Sequence, residues 1–287
     1  MERRAAPTQA ADRLGQPPPL PPAGQCRVLM IGDLIGKPGR GAVELLLPEL
    51  RRERGIDLVT ANGENLAGGM GLTPSIAAST FHCGVDVITS GNHIWDRREI
   101  YPELDHDERI LRPINYGSTG VPGRGWGIYR AADGSEVAVI NAQGRTFMQP
   151  IENPFLAMDE TLDGAVELPV VRLVDFHCEI TSEKNAFGLY LDGRVSAVCG
   201  THTHVATADE RILPRGTAYV SDIGMTGPLN SVIGFAPETV IPRFLTGLPT
   251  RFEVGHGPVV FNAVLVDIDA ANGRAVAIER LTQLVEM

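Results

Sequence analysis

Five short apolar runs, each closing on side chains with lone pairs to offer, constrain this chain more than any other feature. Residues 26–31 (CRVLMI) end at Gly32-Asp33, residues 56–61 (IDLVTA) at Asn62-Gly63-Glu64-Asn65, and residues 85–90 at Gly91-Asn92-His93. Residues 170–174 lead to Asp175-Phe176-His177, and residues 194–199 to Gly200-Thr201-His202-Thr203-His204. Apolar runs of this length, bounded by turn residues, read as strands buried on both faces. Between the first two, Val43, Leu46, Leu47 and Leu50 fall at helical spacing and predict an amphipathic helix over 40–54. Thr73-Pro74 supplies an N-cap and a first-turn proline for a helix to about Cys83, and Ser182 stands where it would cap another. The β-α-β-α-β order predicts a mostly parallel sheet covered by helices. Asp133-Gly134 and Asn272-Gly273 mark hairpins, one joining 126–130 to 136–140 and one joining 259–269 to 274–284. The expected class is α/β, a two-sheet β-sandwich flanked by helices.

Composition narrows the setting. Pro7, Pro17, Pro18, Pro19, Pro21 and Pro22 crowd residues 1–25, which have little to bury and read as a disordered Pro-rich extension; the folded domain is expected over 26–287. With 25 Lys and Arg against 35 Asp and Glu, the net charge of −10 argues against a nucleic-acid or anionic-membrane partner. No apolar run approaches the ~18 residues of a membrane-spanning helix. Cys26, Cys83, Cys178 and Cys199 are widely spaced with no CxxC, which reads as buried free thiols in a reducing cytoplasm.

The polar residues at the strand ends carry the chemistry. In open α/β sheets, ligands bind beyond the carboxyl ends of the strands, so Asp33, Glu64, Asn65, Asn92, His177, His202 and His204 are expected on one edge. Together they exceed the ligand set of one zinc ion and suit two first-row metals with solvent filling the gaps. Two divalent ions bring +4 against the −2 of Asp33 and Glu64, leaving about +2 to attract a phosphate. A hydroxide bridging the metals is then the natural nucleophile, and His93, beside Asn92, is free to protonate the leaving oxygen. Gly68-Gly69-Met70-Gly71 reads as a turn, or as a place where backbone N–H groups approach substrate. Gly36-Lys37-Pro38 lacks the spacing and the hydroxyl residue of a P-loop.

In order and spacing these segments resemble the calcineurin-like metallophosphoesterases, and most of all their bacterial YmdB-like branch. The segments that carry the resemblance are IGDLIGKPGR (31–40), ANGENLAGGMGLT (61–73), TSGNHIWD (89–96), NAQGRTFMQPIENPF (141–155), VDFHCEITSEK (174–184), GTHTHVATADERILPRGTAYVSDIGMTGP (200–228) and RFEV (251–254). The resemblance implies a metallophosphoesterase domain and a first metal held by Asp33, Glu64, Asn65 and His204. It implies a second metal held by Glu64, Asn92, His177 and His202, with Glu64 bridging, and His93 as general acid. It further implies iron or manganese, hydrolysis of cyclic nucleotides such as 2′,3′-cAMP, and a homo-oligomer. The wider superfamily's Asp-x-His is here Asp33-Leu34-Ile35, and its bridging aspartate is Glu64. The imidazole lost at Ile35 is replaced by the amide of Asn65, a harder ligand that tilts the first site toward Mn²⁺ or Mg²⁺ over Zn²⁺. Two other readings stand beside the diesterase: a phosphomonoesterase on nucleotides or small phosphates, and a metal-dependent nucleotide-binding regulator. Thr146, Phe147, Met225 and Thr226 are further residues that the resemblance puts near substrate.

Overall fold

The computed structural model describes residues 20–117 and 119–286. Most of the expected N-terminal extension lies outside the described residues, and Gln25 already belongs to the first strand. The strands are β1 (Gln25–Ile31), β2 (Asp33–Leu34), β3 (Leu58–Asn62), β4 (Val87–Thr89), β5 (Trp126–Arg130), β6 (Glu136–Gln143), β7 (Val171–His177), β8 (Ala197–Thr201), β9 (Arg211–Ile212), β10 (Ala218–Val220), β11 (Met225–Pro228), β12 (Val259–Asp269) and β13 (Ala275–Val285). The helices are α1 (Gly36–Arg54), α2 (Pro74–His82), α3 (Tyr101–His106), α4 (Pro154–Leu162), α5 (Thr181–Leu191) and α6 (Pro237–Thr246).

Two sheets face each other. The first runs β2-β11-β12-β1-β3-β4 with β13 added along β12; the second runs β5-β6-β7-β8-β10-β9. β1, β3 and β4 are mutually parallel, as are β6, β7, β8 and β10. Alternation along each strand divides its side chains between two cores. In β1, Val28 and Met30 point between the sheets, whereas Leu29 and Ile31 pack with Val43, Leu47 and Leu50 of α1. In β7, Leu173 joins the core between the sheets, whereas Val174 and Phe176 pack on Phe187 and Leu191 of α5. The result is the expected two-sheet sandwich with a helical layer on each outer face. It explains why the central strands read as unbroken apolar runs, because neither face meets water.

The expected elements form, with local differences. Thr73 caps α2 by accepting from the Ile76 N–H at 3.3 Å, and both predicted hairpins close. α1 begins four residues earlier than its apolar spacing predicts. Gly36 sits at φ +52°, its N–H donates to the Asn65 carbonyl at 2.9 Å, and Lys37 and Pro38 occupy the first turn. Ser182 does not cap α5: the helix starts at Thr181 behind Ile180, which offers no side-chain cap. No helix among the described residues is long and apolar enough to cross a membrane.

Leu173 is fully buried between the sheets, whereas Leu45 on α1 is 61 % exposed. Leu173→Ala should lower the unfolding free energy by about 2–5 kcal/mol, and Leu45→Ala by no more than about 0.5 kcal/mol. Urea titrations of both variants check the placement of the core.

Candidate active site

The strand ends meet at the seam between the two sheets. Asp33 in β2, Glu64 and Asn65 after β3, and Asn92 after β4 come from the first sheet; His177 closes β7, and His202 and His204 follow β8 in the second. Asp33, Glu64, Asn65 and His177 are buried. Nε2 of His177 lies 3.1 Å from Glu64 Oε1, 3.0 Å from His202 Nδ1 and 3.2 Å from Asn92 Oδ1. A second group surrounds Nε2 of His204, which lies 3.2 Å from the Asn65 amide and 3.8 Å from Asp33 Oδ1. Asn65 Nδ2 is 3.4 Å from Glu64 Oε1, so Glu64 stands between the two groups. All seven donors singled out in the sequence therefore converge. Glu64, His177 and His202 have donor atoms close enough together to share one ion.

Charge explains what this donor set lacks. Burial pushes the Asp33 carboxyl up to about 6, against the pull of His204 and His177. Burial also opposes ionisation of Glu64, but His177 and the His93 N–H outweigh it and hold the group down at about 2. Burial alone would depress His177; Glu64, Asp33 and Asp175 raise it to about 9. His202 is pushed down to about 3 by burial and by His177. The two buried carboxylates thus draw positive charge toward His177. Asp33 Oδ1 is buried with no hydrogen-bond partner among the described residues, an orphaned acceptor facing other lone-pair donors. Carboxylate, imidazole and amide groups gathered this way fit divalent first-row cations.

A cavity of about 500 Å³ is lined by four of these donors, Glu64, Asn65, His202 and His204; Asp33, Asn92 and His177 stand outside its lining. His93 lines it; its backbone N–H donates to Glu64 Oε2 at 2.8 Å, and its Nδ1 meets Asp96 Oδ2 at 2.8 Å. Gly69 and Met70 also line it, so the glycine-rich turn does approach the site. Phe147 is exposed and, with Thr146, stands outside the lining, while Thr226 is buried and bonds to the Asn262 backbone instead.

The profile of the YmdB-like protein family matches residues 29–281. The chain belongs to the YmdB-like family. It is 49 % identical over 255 residues to the 2′,3′-cyclic-nucleotide 2′-phosphodiesterase of Bacillus subtilis, covering 89 % of this chain and 96 % of that relative. A crystal structure of a hypothetical protein from Thermus thermophilus superposes with a TM-score of 0.84 at 43 % identity, covering 90 % of this chain and 99 % of the other. A phosphatase from Mycoplasma pneumoniae superposes with a TM-score of 0.85 at 32 % identity, covering 91 % of this chain and 94 % of the other.

Behind the donors of this YmdB-like site lies a supporting layer that the sequence did not announce. His177 Nδ1 is 2.9 Å from Thr201 Oγ1, whose hydroxyl donates to Asp175 Oδ1 at 2.7 Å. Asp175 also accepts from Asn62 and Thr89, so the chain of bonds fixes the ring with Nε2 toward Glu64, His202 and Asn92. A Cβ on Gly91 would lie 2.1 Å from the same ring, so only glycine lets His177 reach this position. Glu179, two residues past His177, places Oε2 at 3.0 Å from His202 Nε2 and lines the cavity. Only its presence in the same segment as His177 could have drawn attention to it.

The backbone at His202 and His204 has φ of +97° and +65°, a left-handed conformation that costs a non-glycine residue of order 1–3 kcal/mol. A buried ion pair holds it. Lys184 Nζ donates to the Thr201 carbonyl at 2.9 Å and pairs with Asp222 Oδ2 at 2.5 Å. The same Asp222 oxygen accepts from the Thr203 N–H and hydroxyl, while Oδ1 accepts from Gly224 N–H. Lys184→Met strands a buried carboxylate and should cost about 3–5 kcal/mol of stability. Adding Asp222→Asn should return part of that loss, a coupling that a double-mutant cycle in denaturant measures.

Proposed function

We propose that this chain is a dinuclear-metal phosphodiesterase that opens 2′,3′-cyclic nucleotides. The observation that carries the reading is the orphaned Asp33 Oδ1, buried within 3.8 Å of the His177 and His204 rings, the second of which lines the cavity. The named activity of the Bacillus relative, nearly half identical over nearly its whole length, supplies the substrate class. On this reading Asp33, Glu64, Asn65 and His204 hold one metal, and Glu64, Asn92, His177 and His202 the other. Bound divalent ions would supply Lewis acidity toward the phosphate oxygens and a nucleophile at neutral pH. Iron or manganese fits the mixed oxygen and nitrogen donors, with the Asn65 amide favouring the harder ion.

The chain's own residues then have separate tasks. The carboxylates, amides and imidazoles would hold the ions, without whose charge the two carboxylates would repel an anionic diester. His93, oriented through Nδ1 by Asp96, donates its proton to the departing ribose oxygen. Water adds to phosphorus as the P–O2′ bond breaks and the proton passes to O2′, leaving a nucleoside 3′-monophosphate. The bond broken follows the 2′ ester in the relative's name. Cys26, Cys178 and Cys199, buried as free thiols, suit a reducing cytoplasm, and a homo-oligomer completes the reading.

Purified protein should convert 2′,3′-cAMP to one ribose monophosphate with Mn²⁺ and stop in excess EDTA. Release of free phosphate as the only product, or inertness with two metals bound, overturns the diesterase. Glu64→Ala should lose both metals by elemental analysis; retention of both removes Glu64 from the shared position. His93→Ala should keep them and lose about 10²–10⁴ of kcat. Unchanged turnover by that variant would end the general-acid role.

A further inference from the structure

The cavity has two chemically different linings. Its polar lining includes Glu64, Asn65, His93, His202 and His204, while its apolar lining is Ile233, Phe235, Val240, Phe244 and Phe252. Phe235, Val240 and Phe244 come from α6 or the residue pair before it. An occupant that satisfies both must be polar and anionic in one part and planar and apolar in another. Phe244 is 81 % exposed, a large aromatic ring held in water. Arg243, the only Lys or Arg among the lining residues, sets its guanidinium 5.5 Å from the centre of the Phe252 ring. An exposed ring such as Phe244 is a group on which a base stacks, and the guanidinium over Phe252 adds a second flat face to the same cavity.

The apolar lining is also preorganised. Pro237 opens α6, and Gly247 closes it at φ +72° with its N–H donating to the Arg243 carbonyl at 2.8 Å. The Ala236 N–H donates to the Glu253 carbonyl at 2.8 Å, and the Glu253 N–H donates to Thr239 Oγ1 at 3.3 Å. These bonds fasten α6 to the segment that carries Phe252, whose ring lies 5.4 Å from that of Phe235. The cavity's volume, about 500 Å³, falls within the ~300–1,000 Å³ of small-molecule sites.

We propose that α6 and Phe252 form a nucleobase platform for this site, with the base stacked on Phe244. The proposal rests on the phosphodiesterase reading and adds to it that recognition extends past the cyclic phosphate to the base. Leu245 and Leu248, also exposed on this side of the chain, are not lining residues and take no part.

The test compares 2′,3′-cAMP with glycerol 1,2-cyclic phosphate, which has the same five-membered cyclic diester and no base. The wild-type metal-loaded enzyme should prefer the nucleotide in kcat/KM. Phe244→Ala should lower that preference by about 5- to 100-fold, mainly through KM for the nucleotide, and Phe244→Trp should restore it. Equal loss on both substrates, or no loss on either, overturns the platform while leaving the diesterase standing. Equal loss together with a change of oligomeric state in light scattering assigns Phe244 to a subunit contact instead. If the wild-type enzyme cleaves neither diester, the phosphodiesterase reading falls and the platform with it.

Discussion

The crowding of charge around one imidazole nitrogen governs this structure. Within 3.2 Å of His177 Nε2 stand a buried carboxylate oxygen, a second imidazole and an amide oxygen. Burying two carboxylates beside each other is costly without a compensating positive charge. A sequence that keeps Asp33 and Glu64 here must therefore gather a compensating cation beside them, whether a proton on His177, whose hold on it they strengthen, or the divalent ions that the donor set fits. The supporting residues follow from that requirement. Thr201 and Asp175 aim the ring, Gly91 makes room for it, and Asn62 ties Asp175 to the Ser90 carbonyl on the opposite sheet.

The two sheets divide the work between them. Of the seven donors, the carboxylates and amides come from the first sheet and the imidazoles from the second, so neither sheet alone makes the site. The rigid cores on each side absorb local strain that an isolated loop would release. The left-handed backbone at His202 and His204 persists because the loop is held by Lys184 and Asp222 from one side and by Asp33 from the other, whose Oδ2 accepts the His202 N–H.

Much of this was legible in the sequence because the relevant signals were local. The strands announced themselves through Val28–Ile31, Val171–Val174 and Val198–Cys199, and each donor stood at a strand's end where the topology required it. Thr73 and Pro74 marked a helix start with a cap that forms. The start of α1 was not legible, because the Gly36 N–H is satisfied by a carbonyl from the loop after β3 and not by a neighbouring side chain. The role of Lys184 was hidden for the same reason: its partner Asp222 is 38 residues away. Helix α6 passed unread although Pro237 and Gly247 bracket it with recognisable start and stop residues. Its exposed Phe244 and Leu245 blur the apolar periodicity that usually reveals a helix.

The pairing of β1 with β12 has a consequence for how the molecule is made. β1 is the first described strand to leave the ribosome and β12 nearly the last, yet they run antiparallel from Gln25 against Asp269 to Ile31 against Ala263. At ~5–20 residues per second, the edge of β1 that β12 will cover waits on the order of tens of seconds for its partner. The helices and parallel strands between them are complete long before then. During that interval the nascent chain carries β1 with one edge of backbone N–H and C=O groups unpaired, and the synthesis of β12 closes it.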